Sequence, residues 1–143
     1  MNTKQHRHGA QLSFALYGAA NRMVRLHKPF LEPLGLTFPQ YLVMLELLDG
    51  APVSVGVLGI RLGMDTGTIT PLVKRVEAAG FVTRTRDPGD ERRVVVDLTP
   101  AGRMLESAIR SVPDKIKTLC QLSEADFDNL RVTLDGLGHP AVD

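Results

Sequence analysis

This chain of 143 residues has one cysteine, which excludes an intrachain disulfide framework and a multi-cysteine zinc site and suits a reducing cytosol. No apolar run approaches the ~18 to 20 residues that span a bilayer. Residues 1–11 are polar where a signal peptide would carry its apolar stretch, so a cytoplasmic protein without a membrane partner is expected. A Gly-rich phosphate loop, a His-Glu-x-x-His helix, a nucleophile elbow and paired carboxylates are all missing. With only four scattered histidines, neither catalysis nor a cofactor is expected. His6 and His8 form a His-x-His within residues 1–10, which read as a disordered polar tail, and without a third ligand the pair predicts no metal site. Internal repeats and low-complexity tracts are absent as well.

What is present is the balance of one soluble globular domain, 43% apolar and 23% charged. The formal charge of +1 is uneven. Residues 1–60 carry five basic and three acidic groups, 61–93 seven and five, and 94–143 five and eight. Lys74, Arg75, Arg84, Arg86, Arg92 and Arg93 give an anion-facing centre, and the last third is acidic.

Periodicity and punctuation give the element order. Leu12, Leu16, Ala19, Met23, Leu26 and Phe30 form one helical stripe over about Gln11 to Leu31, ended near Pro29 and Pro33. Thr37 and Pro39 open a second helix that runs to Gly50, apolar on several faces and therefore central. A short strand is expected at Ala51 to Val53, and Ser54 caps a helix over Val55 to Leu62 that Gly63 ends. Asp65 caps the next helix, Thr66 to Ala79, with Ile69, Leu72, Val73 and Val76 on its inner side and Gly80 at its end. These two helices form a helix-turn-helix candidate. Phe81 to Arg86 and Arg93 to Leu98 flank Asp87-Pro88-Gly89-Asp90 as a β-hairpin with a charged tip. Thr99 and Pro100 start a helix to about Val112 that Pro113 should kink or break, and Ser123 caps a last one bearing Phe127, Leu130, Leu134 and Leu137.

The outer face of the Thr66 helix carries Gly67, Pro71, Lys74 and Ala78, flanked by Thr68, Thr70 and Arg75. Glycine inside a helix costs ~1 kcal/mol and proline ~3 kcal/mol. A purely structural helix has little reason to hold both, although a solvated, kinked face would look the same. Small residues edged by hydroxyls and two bases would let the helix enter a groove closely. Four arginines around the hairpin that follows favour insertion of its tip into a minor groove. A winged helix-turn-helix with a mainly α body and a small β-wing is the expected fold.

The runs LGMDTGTITPLVKRVEAAGFVTR (62–84), RDPGDERR (86–93) and LTPAG (98–102) resemble the MarR family of winged-helix transcriptional regulators. QLSFALY (11–17) and LTFPQYLVML (36–45) resemble its organic-hydroperoxide-sensing OhrR branch, and the likeness extends from about Gln11 to Leu137. The resemblance implies a homodimeric repressor on double-stranded DNA that reads a pseudo-palindromic operator and releases it when an organic hydroperoxide oxidises a cysteine. Its lobes would enter major grooves about 34 Å apart. It also implies dimerisation through residues 11–36 and 99–143 and DNA binding through 37–98. The matching DNA-facing positions are Asp65, Thr66, Thr68, Thr70, Lys74 and Arg75, with Arg84, Arg86, Asp90 and Arg92 in the wing.

Where hydroperoxide-sensing relatives carry the reactive cysteine, this chain carries Ser13. A hydroxyl cannot climb the sulfenic-acid ladder or form a disulfide, so the chain is expected to stay in the reduced-like, DNA-binding state. Such a serine fits either an introduced replacement or a natural relative with a changed signal. Cys120 matches the resolving thiol of two-cysteine members, and an inert, half-buried cysteine is the alternative reading. In the implied sensor pocket His27 and Phe38 replace tyrosines, Tyr41 remains, and Tyr17 lies one turn after Ser13. A regulator gated by a small phenolic or carboxylate ligand is the competing function.

Overall fold

A computed structural model describes residues 11–138. His6, His8 and the expected tail lie outside the described residues. The chain divides into two compact units, Met1–Val112 and Pro113–Asp143.

In the first unit α1 runs Leu12–Leu31 with Pro29 in its last turn, followed by a 3-10 turn at Glu32–Leu34. Gly35 closes that turn in the left-handed region, φ 72°. Helix α2, Phe38–Gly50, starts with a reciprocal cap: the Gln40 N–H donates to Thr37 Oγ1 at 3.3 Å and the Thr37 N–H to Gln40 Oε1 at 3.1 Å. Tyr41, Val43, Met44 and Leu47 are buried on more than one of its faces, as its apolar run predicts for a central helix.

Strand β1 is Val53–Ser54, two residues later than its expected start and one later than its expected end, because Pro52 has no N–H to give a ladder. Ser54 also caps α3, Val55–Leu62, by accepting the Val57 N–H at 3.2 Å. Gly63 ends α3 at φ 67°, and Asp65 caps α4, Thr66–Ala78, by accepting the Thr68 N–H at 2.9 Å. Ile69, Leu72, Val73 and Val76 are buried, as their spacing predicts. The two helices approach at Gly59, where a Cβ would lie 2.9 Å from the Met64 carbonyl oxygen and 3.1 Å from Ile69 Cγ2.

Strands β2, Val82–Asp87, and β3, Asp90–Leu98, form the hairpin, and the antiparallel sheet has the order β1-β3-β2. Val53 and Arg84 both stand opposite Val96 on the central strand.

The segment after the wing departs from expectation. The helix breaks early, into α5, Pro100–Arg103, and α6, Glu106–Cys120, and α6 passes through Pro113 without ending. The first turn is tied to the α4–β2 connection: Thr99 Oγ1 donates to the Gly80 carbonyl at 2.6 Å and the Thr99 N–H to that of Phe81 at 3.0 Å. Gly102 presses on the Phe81 carbonyl so closely that a Cβ would collide with its oxygen. The chain then tightens, with the Leu105 N–H bonding Gly102 only three residues back at 3.2 Å, before α6 takes its own direction. Along α6 the buried stripe Ile109, Val112, Ile116 continues across the proline, whose local cost tertiary burial overrides.

In the second unit α7, Glu124–Gly136, is capped by Ser123, which accepts the Asp126 N–H at 3.1 Å. Gln121 turns the corner at φ 55°, and Lys117 pairs with Glu124 while lying 5.4 Å from the Phe127 ring centre.

Candidate nucleic-acid interface

With its apolar side buried, α4 turns Thr66, Gly67, Thr68, Lys74 and Arg75 to solvent and leaves Thr70 and Pro71 half-buried. Lys74 and Arg75 have no ion-pair partner among the described residues, so two cations stand on a surface edged by hydroxyls. Asp65 is spent on its cap: its Oδ1 accepts the Thr68 N–H and thereby fixes the first turn of α4.

The wing tip owes its shape to a break in the ladder. Arg86 stands opposite Val94, but the next pair is Asp87 with Asp90, so Glu91, Arg92 and Arg93 have no partner on β2 and bulge from the ribbon. Asp87 Oδ1 accepts the Gly89 N–H at 2.9 Å and Asp90 Oδ1 the Arg92 N–H at 3.1 Å, two side-chain turns that set the tip. Arg86 Nη1 donates to the Glu91 carbonyl at 2.8 Å across the bulge. Arg92 remains 95% exposed, with Nε 3.6 Å from Asp90 Oδ1. Arg93 lies 3.8 Å from Asp87.

Arg84 is placed differently from the other wing arginines. It is held against Glu77, a residue that sequence reasoning did not select. The two are opposite charges seven residues apart across Gly80, a spacing that marks a contact only once the turn there is known to fold β2 back onto the end of α4. Between α4, the start of α3 and the wing lies a cleft of about 480 Å³, whose lining includes Thr66, Thr70, Arg84, Arg92 and Arg93. Helix and wing thus present hydroxyls and guanidinium groups on one continuous surface.

A family model described as the MarR family matches residues 34–93. The organic hydroperoxide resistance transcriptional regulator of Bacillus subtilis (strain 168) is 38% identical over 124 residues, 87% of this chain and 84% of that protein. A crystal structure of a probable transcriptional regulator from Pseudomonas aeruginosa superposes with TM-score 0.79 at 32% identity, covering 89% of this chain and 96% of that one. Overoxidized AbfR bound to DNA, from a protein also solved from Staphylococcus epidermidis, superposes with TM-score 0.73 at 30% identity, covering 94% and 98%.

The chain belongs to the MarR family. It is a winged-helix transcriptional regulator, like its relatives, and not an enzyme. Among the described residues no helix is long and apolar enough to cross a membrane.

Of the residues that likeness to the OhrR branch of the MarR family selects for a sensor, three come together. His27 is buried, with Nδ1 2.7 Å from the Met23 carbonyl oxygen, and its ring lies 4.7 Å from that of Phe38, nearly edge-on, and 5.4 Å from that of Tyr41. A carbonyl oxygen can only accept, so this contact puts a proton on Nδ1. Burial pushes the Tyr41 phenol up to about 12. Ser13 and Tyr17 do not join them within one chain: both are exposed on α1, Tyr17 at 74%. Cys120 is half-buried in the last turn of α6.

Proposed function

We propose that this MarR-family protein is a homodimeric repressor of an organic-hydroperoxide response that acts in the cytoplasm on a pseudo-palindromic DNA operator. The carrying observation is the joint surface of α4 and wing, where exposed Lys74, Arg75 and Arg92 accompany the hydroxyls of Thr66, Thr68 and Thr70. In this reading α4 enters the major groove, Lys74 and Arg75 take phosphates, and the Arg92 tip, braced by Asp90 and Arg86, enters the minor groove. Asp65 serves by fixing the start of α4.

Residues 37–98 form the reading lobe, and residues 11–36 and 99–143 join two copies. Exposed Leu12, Phe14 and Tyr17 on α1, and Leu130, Leu134 and Leu137 in the second unit, support such a junction, since apolar groups this numerous seldom stay in water. The hydroperoxide link rests on likeness to the Bacillus subtilis regulator. Ser13 stands at the sensor position, with His27, Phe38 and Tyr41 as the pocket and Cys120 as the matching second thiol. Lacking a thiol at residue 13, this chain holds its operator when hydroperoxide is added.

The experiment uses a duplex selected by the protein from a random pool and reads fluorescence anisotropy against salt. Affinity should fall steeply as salt rises, and a Lys74→Ala, Arg92→Ala double variant should lose roughly 10- to 100-fold and flatten the slope by about two. Tight binding by the double variant overturns the DNA surface. Cumene hydroperoxide should release the Ser13→Cys variant and leave the parent bound; equal release of both removes residue 13 from sensing.

A second reading, gating by a small aromatic carboxylate, is favoured by an apolar trough of about 320 Å³ whose lining includes Val24, Leu31, Leu36 and Phe38, with Arg25 and Lys28 beside them. Release of the parent from its duplex by salicylate, with no response of Ser13→Cys to peroxide, would select it.

A further inference from the structure

Glu77 holds Arg84 through both main chain and side chain. One oxygen, Oε2, accepts the Arg84 backbone N–H at 3.0 Å. The other, Oε1, accepts from Nε at 3.1 Å, with Nη2 also 3.1 Å away. Both side chains are about one-third exposed, at 36% for Glu77 and 27% for Arg84, so solvent screens the contact only in part. The remaining wing cations find their partners within the wing itself: Arg86 on the Glu91 carbonyl, Arg92 on Asp90, Arg93 on Asp87. Among the described residues, the Glu77–Arg84 contact supplies every side-chain hydrogen bond that joins α4 to the wing.

We propose that Glu77 is a positioning residue that aims the wing relative to α4, and that Arg84 is its strut and not a ligand of DNA phosphate. The inference rests on the reading of α4 and the wing as one DNA surface. The chain between the two residues passes through Gly80 at φ 90°, a position with little conformational preference of its own, so the direction of β2 has to be set by contacts. Arg84 stands opposite Val96, and Arg92 lies four residues nearer the tip, a lever of roughly 13 Å at the rise of a strand. A tilt of about 10° at the base would move the tip by roughly 2 Å, more than a hydrogen bond tolerates. A carboxylate that grips the backbone N–H and the guanidinium of the same residue fixes both the position and the direction of the strand at that point.

The sign of one substitution separates this role from simple electrostatics. Glu77→Gln removes a negative charge beside a polyanion, which by itself strengthens binding. If Glu77 aims the wing, the same change weakens binding to the selected duplex, roughly 10-fold, while the slope against salt stays that of the parent because no phosphate contact is lost. Arg84→Lys keeps the charge but cannot present Nε and Nη together, and should match Glu77→Gln. Arg92→Gln should instead lower the slope by about one. Hydrogen exchange of the DNA-free protein supplies a readout independent of binding: amides of residues 84–94 should exchange faster in Glu77→Gln and Arg84→Lys, while those of α2 stay protected. Binding by Glu77→Gln as tight as the parent's or tighter, unchanged exchange in the wing, or a slope lowered by about one in Arg84→Gln would each overturn the proposal. Absence of any duplex binding by the parent would instead overturn the DNA reading, and the exchange comparison would still test the strut.

Discussion

A tyrosine whose hydroxyl is hard to ionise makes the aromatic cluster measurable. Burial raises the Tyr41 phenol from 10.0 to about 12, so the fold favours the protonated ring. By linkage the associated stability is fully present below pH 10 and is lost as pH rises toward 12. A phenolate absorbance titration should show a component with its midpoint near 12 that disappears in Tyr41→Phe. The same variant should lose less stability than the parent between pH 10 and 12 in urea unfolding. A second residue, Gly102, packs so tightly on the Phe81 carbonyl that Gly102→Ala should cost ~1 to 3 kcal/mol in the same assay. Residues acting on their near neighbours were legible in the sequence: Thr37, Ser54, Asp65 and Ser123 all cap the helices their spacing indicates. Glu77 and Gly102 were not, because each meets a partner brought to it by a turn elsewhere in the chain.

At the level of elements, local chemistry set both ends of the helices before the wing and failed at the break after it. Asp65→Ala should cost ~1 kcal/mol in chemical denaturation and fray the first turn of α4, which carries Thr66 and Thr68. The hairpin and its tip were foreseen from Asp87-Pro88-Gly89-Asp90, but the bulge at Glu91, Arg92 and Arg93 was not, because strand register depends on which residues find partners. The misplaced break after the wing has a similar cause. Pro113 is the visible helix breaker in the sequence, yet the break falls at Met104 and Leu105, where docking of Thr99 and Gly102 on the Gly80-Phe81 turn dictates the direction of the first turn.

For the whole molecule, the order of helices, hairpin and helices was readable because each element has its own period and punctuation. The assembly was not, since a single chain shows only apolar side chains left in solvent, Phe14 at 67% and Tyr17 at 74% among them. Sedimentation should find a dimer that Phe14→Lys with Leu134→Lys drives toward monomer, with duplex affinity falling as the second half-site contact is lost. A dimer that persists in that variant would place the junction elsewhere.

Ser54 pairs with Val95 on the wing's central strand while its hydroxyl starts α3, so one residue joins that strand to the helix-turn-helix. The wing root and the helix-turn-helix therefore share a weld at the start of α3, and the Glu77–Arg84 contact ties α4 to the same sheet, so helix and wing move as one body. In a two-copy regulator the letters of a half-site are then a property of one rigid lobe, whereas the distance between half-sites belongs to the helices that join the copies. A bound signal could alter the second without disturbing the first, so variants that recognise new operators and variants that answer new signals should arise at separate positions and combine freely.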